Sequence, residues 1–526
     1  MKPWIVSLLI AALVLVLRLW GVSNNSITQD ESTMILFARG VLERGYPFLR
    51  QVHSEFVIST YELVPYPIAL SLALFGNSEF SVRLPSLFFA AGTSLLILRF
   101  ATRLFDRRVG VLSALLFAVL PWAIYWGSNA FYPSQVQFFS LLTTMVVHRL
   151  VVEERPATWV YYAMLGSFTA SYLTWEGSGF LLPVFFVILL AMRWWRFAWL
   201  KNPHGWIAAS LMILVVVAQL TYRTLLREPY LGIMTGRSEI SFATIAFTSV
   251  GYDPFFYTDG LFTEAHLVLG CSLLLGLFFV RRSRSLAFLY LFLGLVTLFL
   301  TSALGYYALR YIYLALPAGL IVASASSVML VDRLTSDGTS VASERIRALG
   351  LAAIGVLHFS VASPWGLLPT GAAAALAQRR PTELGHEHTG FSFRSVAEAL
   401  EAQRRPGDVL IVQAPFPFQV YTGLKGDYFL QTVLAGSIFY EEKSMPFYTD
   451  KWVANPVLRD RTELEEVLQR NERVWLVATP DGASRLSIGD DLYAFFEKHA
   501  TVITETEDGR LYLWEQPGSA TAAVAR

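Results

Sequence analysis

A few charged and polar residues stand at the ends of long apolar runs, and these are the first to weigh for chemistry. Asp30 and Glu31 follow the first run directly, and Glu176 stands between two others. A carboxylate so placed can take a proton from an attacking hydroxyl, as a general base does. Arg83 and Arg310 stand at the starts of later runs. A guanidinium forks onto two phosphate oxygens and steadies a departing phosphate. Asn129, Tyr132, Glu62 and Tyr307 complete the candidates for substrate contact. Polar groups at the ends of apolar spans are costly beside lipid and generally line a cavity.

Each candidate also has an ordinary reading. Thr28-Gln29-Asp30-Glu31 matches a capping box, in which Glu31 reaches back to the Thr28 amide. Adjacent helical residues point about 100° apart, so Asp30 and Glu31 cannot address one substrate atom, and Asp30 is the better base. Arg83 can serve as an interfacial anchor, and Glu62, with His53 and Glu55, as part of a solvated loop. Tyr132, Trp175, Tyr306 and Tyr307 can stack on a sugar or form an aromatic belt, and the belt is expected for most of them. Arg18, near the end of the first run, is expected to snorkel to the headgroups.

The elements that must position these residues lie in a membrane. The 526 residues are 54% hydrophobic and 15% charged, too apolar for an ordinary soluble domain, and the net charge of +1 gives no basic field for nucleic acid. The lone cysteine, Cys271, has no disulfide partner and reads as a small buried hydrophobe. About eleven apolar stretches approach the roughly 20 residues that cross a bilayer: 3–20, 84–103, 109–127, 134–151, 158–175, 178–194, 205–222, 263–280, 285–303, 311–331 and 348–363. The shorter, proline-broken 65–76 reads as an interfacial or re-entrant helix. Met34, Ile35, Ala38, Val41 and Leu42 recur at helical spacing, so Asp30 to Glu43 reads as a helix lying in the interface.

Alternate connections collect arginine and lysine: Arg103, Arg107 and Arg108; Arg149 and Arg155; Arg193, Arg196 and Lys201; Arg281, Arg282 and Arg284; Arg333, Arg345 and Arg347. Under the positive-inside rule this places the N-terminus in the cytoplasm and loops 21–83 and 223–262 outside, with the candidates gathered on the outer face. The membrane module then spans 1–363, followed by an Ala/Gly-rich linker at 364–384. From 385 to 516 the composition changes. DVLIV (408–412) and RVWLVA (473–478) read as buried strands, with helical spacings at Val396/Leu400, Leu464/Val467/Leu468 and Tyr493/Phe496. This predicts a small outer α/β domain, a structural or acceptor-docking unit, and then a flexible tail at 517–526.

The pair Asp30-Glu31 after the first span, LFGNSEFSVRLPS (74–86), SNAFYPSQ (128–135), LTWEG (173–177) and RYIYLALP (310–317) together cover most of residues 1–332. With these marks the chain resembles the GT-C glycosyltransferases of the dolichyl-phosphate-mannose protein mannosyltransferase superfamily, in particular bacterial relatives with a C-terminal extracytoplasmic domain. It departs from many relatives at Ser128–Tyr132, where an Arg-x-x-x-Tyr pattern is common, and at Trp175, where histidine is. The resemblance implies a polytopic α-helical fold, a polyprenyl-phosphate sugar donor, an outward-facing site, and an acidic residue of the first outer loop as base. The partners so implied are the lipid-linked donor, membrane lipids and a glycan, lipid or protein acceptor. The cofactor stays open, a divalent metal included. No Asp-x-Asp triplet suited to a nucleotide sugar occurs. A transporter or lipid-linked oligosaccharide flippase is the alternative, but the sequence shows no internal repeat, and its acidic groups lie at one surface instead of the midplane.

Overall fold

The structure is a computed structural model, and it describes residues 2–24, 27–50, 55–57, 61–193, 202–222, 256–257, 267–303, 308–335, 349–350, 352–353, 394–413, 415–430, 439–441, 448–450, 455–479, 481–506 and 509–516. The membrane part holds α1 (Pro3–Asn24), α2 (Gln29–Arg44), α3 (Pro65–Phe75), α4 (Glu79–Leu104), α5 (Arg107–Val119), α6 (Pro121–Gly127), α7 (Pro133–Val152), α8 (Thr158–Thr174), α9 (Leu181–Arg193) and α10 (Pro203–Thr221). It continues with α11 (Leu267–Gly276), α12 (Arg284–Ala303), the short α13 (Leu309–Ile312) and α14 (Leu316–Leu334).

Apolar helices stand at every expected span up to 311–331. Among the described residues six are long and apolar enough to cross a membrane, or seven if α5 and α6, bent by 68°, form one span. The stretch expected to span at 348–363 lies largely outside the described residues. The helix expected at 65–76 is α3, of 11 residues, started by Pro65 and Pro67 in its first turn.

The α5–α6 bend has a chemical cause and a partner. Pro121 has no N–H, so the Phe117 carbonyl four residues earlier loses its helical donor. Arg18 supplies the replacement, donating to the carbonyls of Phe117 at 2.9 Å and Ala118 at 2.6 Å. The expectation that Arg18 snorkels is therefore corrected: its side chain is wholly buried, a cation on the last carbonyls of a helix. Gly127 makes room, since a Cβ there would meet the Arg18 side chain at 2.8 Å. Cys271 is also corrected, being exposed on the surface of the bundle instead of buried.

Among the described residues, the connections that carry Arg103 to Arg108 and Arg149 to Glu153 meet the last turn of α14 at one end of the bundle. Arg103 pairs with Glu153 at 3.4 Å, and Arg108 reaches Asp332 at 2.8 Å. That end is the C-terminal end of α4, whose N-terminal end carries Arg83 and the candidate site.

The C-terminal part is a doubly covered sheet. Its strands are β3 (Val409–Val412), β4 (Tyr428–Leu430), β7 (Val457–Leu458), β8 (Arg473–Ala478), β9 (Thr501–Thr506) and β10 (Gly509–Glu515), in the order β7-β4-β3-β8-β10-β9. The first four run parallel and the last two pair antiparallel. Both runs expected as strands are β3 and β8, and they read as continuous apolar segments because both faces are covered. On one face Ile411, Val474 and Leu476 pack under α17 (Arg461–Arg470) and α18 (Asp481–His499). On the other, Leu410, Val412, Trp475 and Val477 pack under α15 (Arg394–Gln403) and α16 (Pro415–Thr422). Outside this sheet, β1 (Phe48–Arg50) pairs with β2 (Glu55–Val57), and β5 (Phe439–Glu441) with β6 (Tyr448–Asp450).

Helix α16 belongs to two cores. Phe418 enters the sheet core, whereas Phe416 and Val420 join the core of the membrane part. Its partner there is α2. The helix read as lying in the interface is packed against protein along its middle: Met34, Ile35, Leu36, Phe37 and Ala38 are all buried, while Leu42 in its C-terminal turn is open.

Candidate active site

The site is built around the start of α2. Thr28 caps the helix, accepting from the Glu31 amide at 3.2 Å, and the Glu31 carboxylate accepts from the Thr28 amide at 2.9 Å, so the capping box is present. Glu31 does more than cap. It is wholly buried and accepts from Arg83 Nε at 2.7 Å and Nη2 at 2.9 Å, and from the Ala130 amide at 2.7 Å. Arg83 is buried as well and donates its remaining Nη1 to the Val22 carbonyl at 3.1 Å. Its reading as an anchor in the headgroups is corrected: the fork that was expected to meet phosphate or lipid meets Glu31. One ion pair thereby ties together the end of α1, the start of α2, α4 and the connection before α7.

Asp30, one residue earlier, points elsewhere. Its carboxylate lies 3.6 Å from Arg310 Nη1, and its side chain keeps 43% of its surface open, against 13% for Arg310. Despite this opening, desolvation by the surrounding protein raises the carboxyl above the ordinary aspartate range; Arg310 opposes the shift and Glu31 adds to it. Arg310 does not sit in a free loop but within α13, at the head of the run that continues into α14. Its guanidinium also lies over the rings of Phe131 at 5.9 Å and Tyr311 at 5.7 Å.

A column of aromatic rings joins the remaining candidates. Tyr61 stacks on Tyr132 at 5.0 Å, Tyr132 on Trp175 at 5.4 Å, and Trp175 on Tyr311 at 4.8 Å. Tyr132 and Trp175 are buried, so the belt expected of them is corrected: these rings pack on one another inside the protein. Gly177 permits the packing, because a Cβ there would strike the Trp175 ring. Neither Tyr61 nor Tyr311 was singled out by sequence. Burial raises the Tyr61 hydroxyl well above its ordinary range, with Glu176, Tyr311 and Asp30 adding to the rise and Arg310 opposing it. These groups therefore share one electrostatic neighbourhood.

Glu176 opens a single 3-10 turn (Glu176–Phe180) between α8 and α9 and is partly buried. Asn129 is buried beside Ala130, and its Oδ1 has no hydrogen-bond partner among the described residues. Glu62 is placed differently from a solvated loop residue: it accepts from Gln219 at the end of α10 at 2.7 Å. Tyr306 and Tyr307 lie outside the described residues, as do His53 and the side chain of Glu55. Among the described residues no three His, Cys, Asp or Glu side chains stand together as a metal site.

Arranged in this way, the start of α2 offers a partly open carboxylate facing a guanidinium, beside an aromatic wall, at one end of a membrane bundle. Residues 62–222 match the family described as dolichyl-phosphate-mannose-protein mannosyltransferase. The match begins after Asp30 and Glu31 and ends before Arg310. No curated protein matches by sequence. Among solved structures, ArnT from Cupriavidus metallidurans in the apo state is 14% identical with a TM-score of 0.63, covering 97% of each chain. The same protein bound to undecaprenyl phosphate gives 13% identity and 0.63, covering 97% of this chain and 98% of that one. The oligosaccharyltransferase AglB from Archaeoglobus fulgidus, in complex with an inhibitory peptide and a dolichol-phosphate, is 11% identical with a TM-score of 0.51, covering 98% of this chain and 75% of that one. The resemblance to the GT-C glycosyltransferases drawn from the sequence is borne out, and the fold is theirs: a polytopic helical membrane module followed by a C-terminal sheet domain.

Proposed function

We propose that the protein is a membrane glycosyltransferase that moves a sugar from a polyprenyl-phosphate carrier to an acceptor hydroxyl or amide at the α2 end of the bundle. The observation that carries this reading is the Asp30–Arg310 pair, a carboxylate and a guanidinium 3.6 Å apart. Asp30 takes the acceptor proton as the acceptor atom attacks the anomeric carbon. The bond from that carbon to the phosphate oxygen breaks on the opposite side, its electron pair stays with the phosphate, and Arg310 holds the new charge. A single displacement of this kind inverts the anomeric carbon. Glu31 and Arg83, each satisfied by the other, hold the frame and exchange no proton. Glu176 and Asn129, with the ring of Tyr132, supply contacts to the sugar or acceptor, and Tyr307 and Glu62 remain candidates at its margin.

Two complexes of the similar structures support a lipid-phosphate donor: ArnT with undecaprenyl phosphate and AglB with dolichol-phosphate. The arginine alternation supports a plasma or inner membrane location with the N-terminus cytoplasmic and the α2 end outside. The polar candidates gather at one end of the bundle, which favours transfer at a surface over passage through a midplane site.

Native mass spectrometry of the purified protein with undecaprenyl-phosphate-linked sugar tests the assignment. Wild type should retain the lipid, Arg310→Ala should lose most of it, and Arg310→Lys should recover part, since the charge returns without the fork. Equal retention by wild type and Arg310→Ala would remove Arg310 from the donor site.

A further inference from the structure

The C-terminal domain reaches the start of α2 through a continuous set of polar contacts. Arg394 of α15 forks onto Glu79, its Nε at 2.9 Å from Oε1 and its Nη2 on Oε2. Tyr421 of α16 donates its hydroxyl to the same Glu79 Oε1 at 2.7 Å and accepts the Ile27 amide at 3.1 Å. Glu79 in turn stands 3.8 Å from Arg83, one helical turn on, and Arg83 holds Glu31. Ile27 directly precedes the capping residue Thr28, three residues before Asp30. A second tie lies one face round, where Arg39 donates to the Val420 carbonyl at 3.3 Å and to Asn77 at 3.2 Å.

A domain that only docks needs none of this at the base of the helix that carries Asp30. Phe416 and Val420 already bury apolar surface against the membrane part. The polar contacts add direction: they fix the entry of the chain into α2 at Ile27 and fix, through Glu79, the guanidinium that Glu31 grips. Asp30 itself touches neither residue, and its angle toward Arg310 is set by where α2 begins.

We propose that Tyr421 and Arg394 are positioning residues for the transfer reaction, acting through Glu79 and Ile27 on the start of α2, so that the C-terminal domain completes the framework of the active site. The proposal rests on Asp30 as the base. A displacement of about 1 Å in a reacting group can cost about 10²-fold in rate, and loosening one of two ties should cost less, about tenfold.

The test uses the full-length protein in micelles with undecaprenyl-phosphate-linked sugar, comparing wild type with Tyr421→Phe, Arg394→Gln, Arg394→Lys and Asp30→Asn. Rates are taken per folded molecule, counted by size exclusion. Tyr421→Phe keeps the ring and its packing and removes only the hydroxyl. Tyr421→Phe and Arg394→Gln should each lower kcat about tenfold with the donor KM changed less than about twofold, and Arg394→Lys should restore part of the loss. A merely structural role would lower the yield of folded protein and leave kcat per folded molecule at the wild-type value. That result in both variants, alongside a slow Asp30→Asn, would overturn the proposal and leave the base assignment standing. A normal rate in Asp30→Asn would remove the base assignment first, and the positioning role with it.

Discussion

Replacing Glu31 and Arg83 singly and together separates a structural pair from a catalytic one. Glu31 accepts from four donors: Arg83 Nε, Arg83 Nη2, the Ala130 amide and the Thr28 amide. Glu31→Gln keeps the shape but turns one acceptor into a donor, against groups that have only hydrogens to offer. Breaking one side of a buried ion pair costs about 3–5 kcal/mol, because the other charge is left without compensation. Arg83→Met should cost a similar 3–5 kcal/mol or so, for the same reason seen from the other side. The double variant leaves no stranded charge, so it should recover about 2–3 kcal/mol relative to the sum of the singles. Unfolding titrations in mixed micelles, followed by tryptophan fluorescence, give the cycle. Additivity of the two singles to within about 0.5 kcal/mol would refute the reasoning, since residues in direct contact that share these bonds cannot then be acting as one unit.

Arg18→Met should destabilise by about 2–4 kcal/mol, the loss of two charge-assisted bonds to the Phe117 and Ala118 carbonyls less the relief of a buried charge, as read from the same titration. Because the folded protein raises the Asp30 pKa above its ordinary 3.8, the folded state holds that proton more tightly than the unfolded chain. Ionised Asp30 therefore costs stability in full above the raised pKa, and the cost fades as the pH falls from that pKa toward 3.8. Asp30→Asn should accordingly unfold at higher denaturant than wild type near neutral pH, with no advantage in acid. Activity runs the other way: the base works only when ionised, so kcat/KM should fall on the acid side with a limb above 3.8. Arg310→Lys, with its charge displaced, should move that limb to higher pH, and a limb that stays in place would separate Arg310 from Asp30.

Local and periodic features were legible in the sequence. The capping box at Thr28, the helix through Glu43, and the strands at 408–412 and 473–478 each rest on a signal within a few residues, and each is present. Arg103, Arg108 and Arg149, from two of the arginine-rich connections, also stand at one end, because charge alternation is a property of connections and not of packing. The partner of Arg83 was not legible, since Glu31 lies 52 residues away and nothing local reports a long-range fork. Arg18 could have been found: Pro121 falls inside the run 109–127, where it must orphan the carbonyl of Phe117, and a buried arginine is one of few groups able to satisfy it. The aromatic column escaped because Tyr132 and Trp175 also suit a belt, and only the folded arrangement brings Tyr61 and Tyr311 beside them. The packing of α2 against protein escaped for a related reason. Its apolar residues fit a lipid interface as well as they fit α16, a helix nearly 400 residues later whose tyrosine reaches Ile27 across a sequence separation of 394.

The central claim is that Asp30, and not its neighbour Glu31, takes the acceptor proton during transfer from a lipid phosphate. Single-turnover transfer from undecaprenyl-phosphate-linked sugar, measured for Asp30→Asn beside wild type with donor occupancy matched by native mass spectrometry, tests it most directly. General-base catalysis is worth about 10²–10⁴ in rate, so the variant should bind donor normally and transfer slower by that order. Transfer by Asp30→Asn at a near wild-type rate, with Glu176→Gln inactive though folded and donor-bound, would contradict the account and move the base to Glu176.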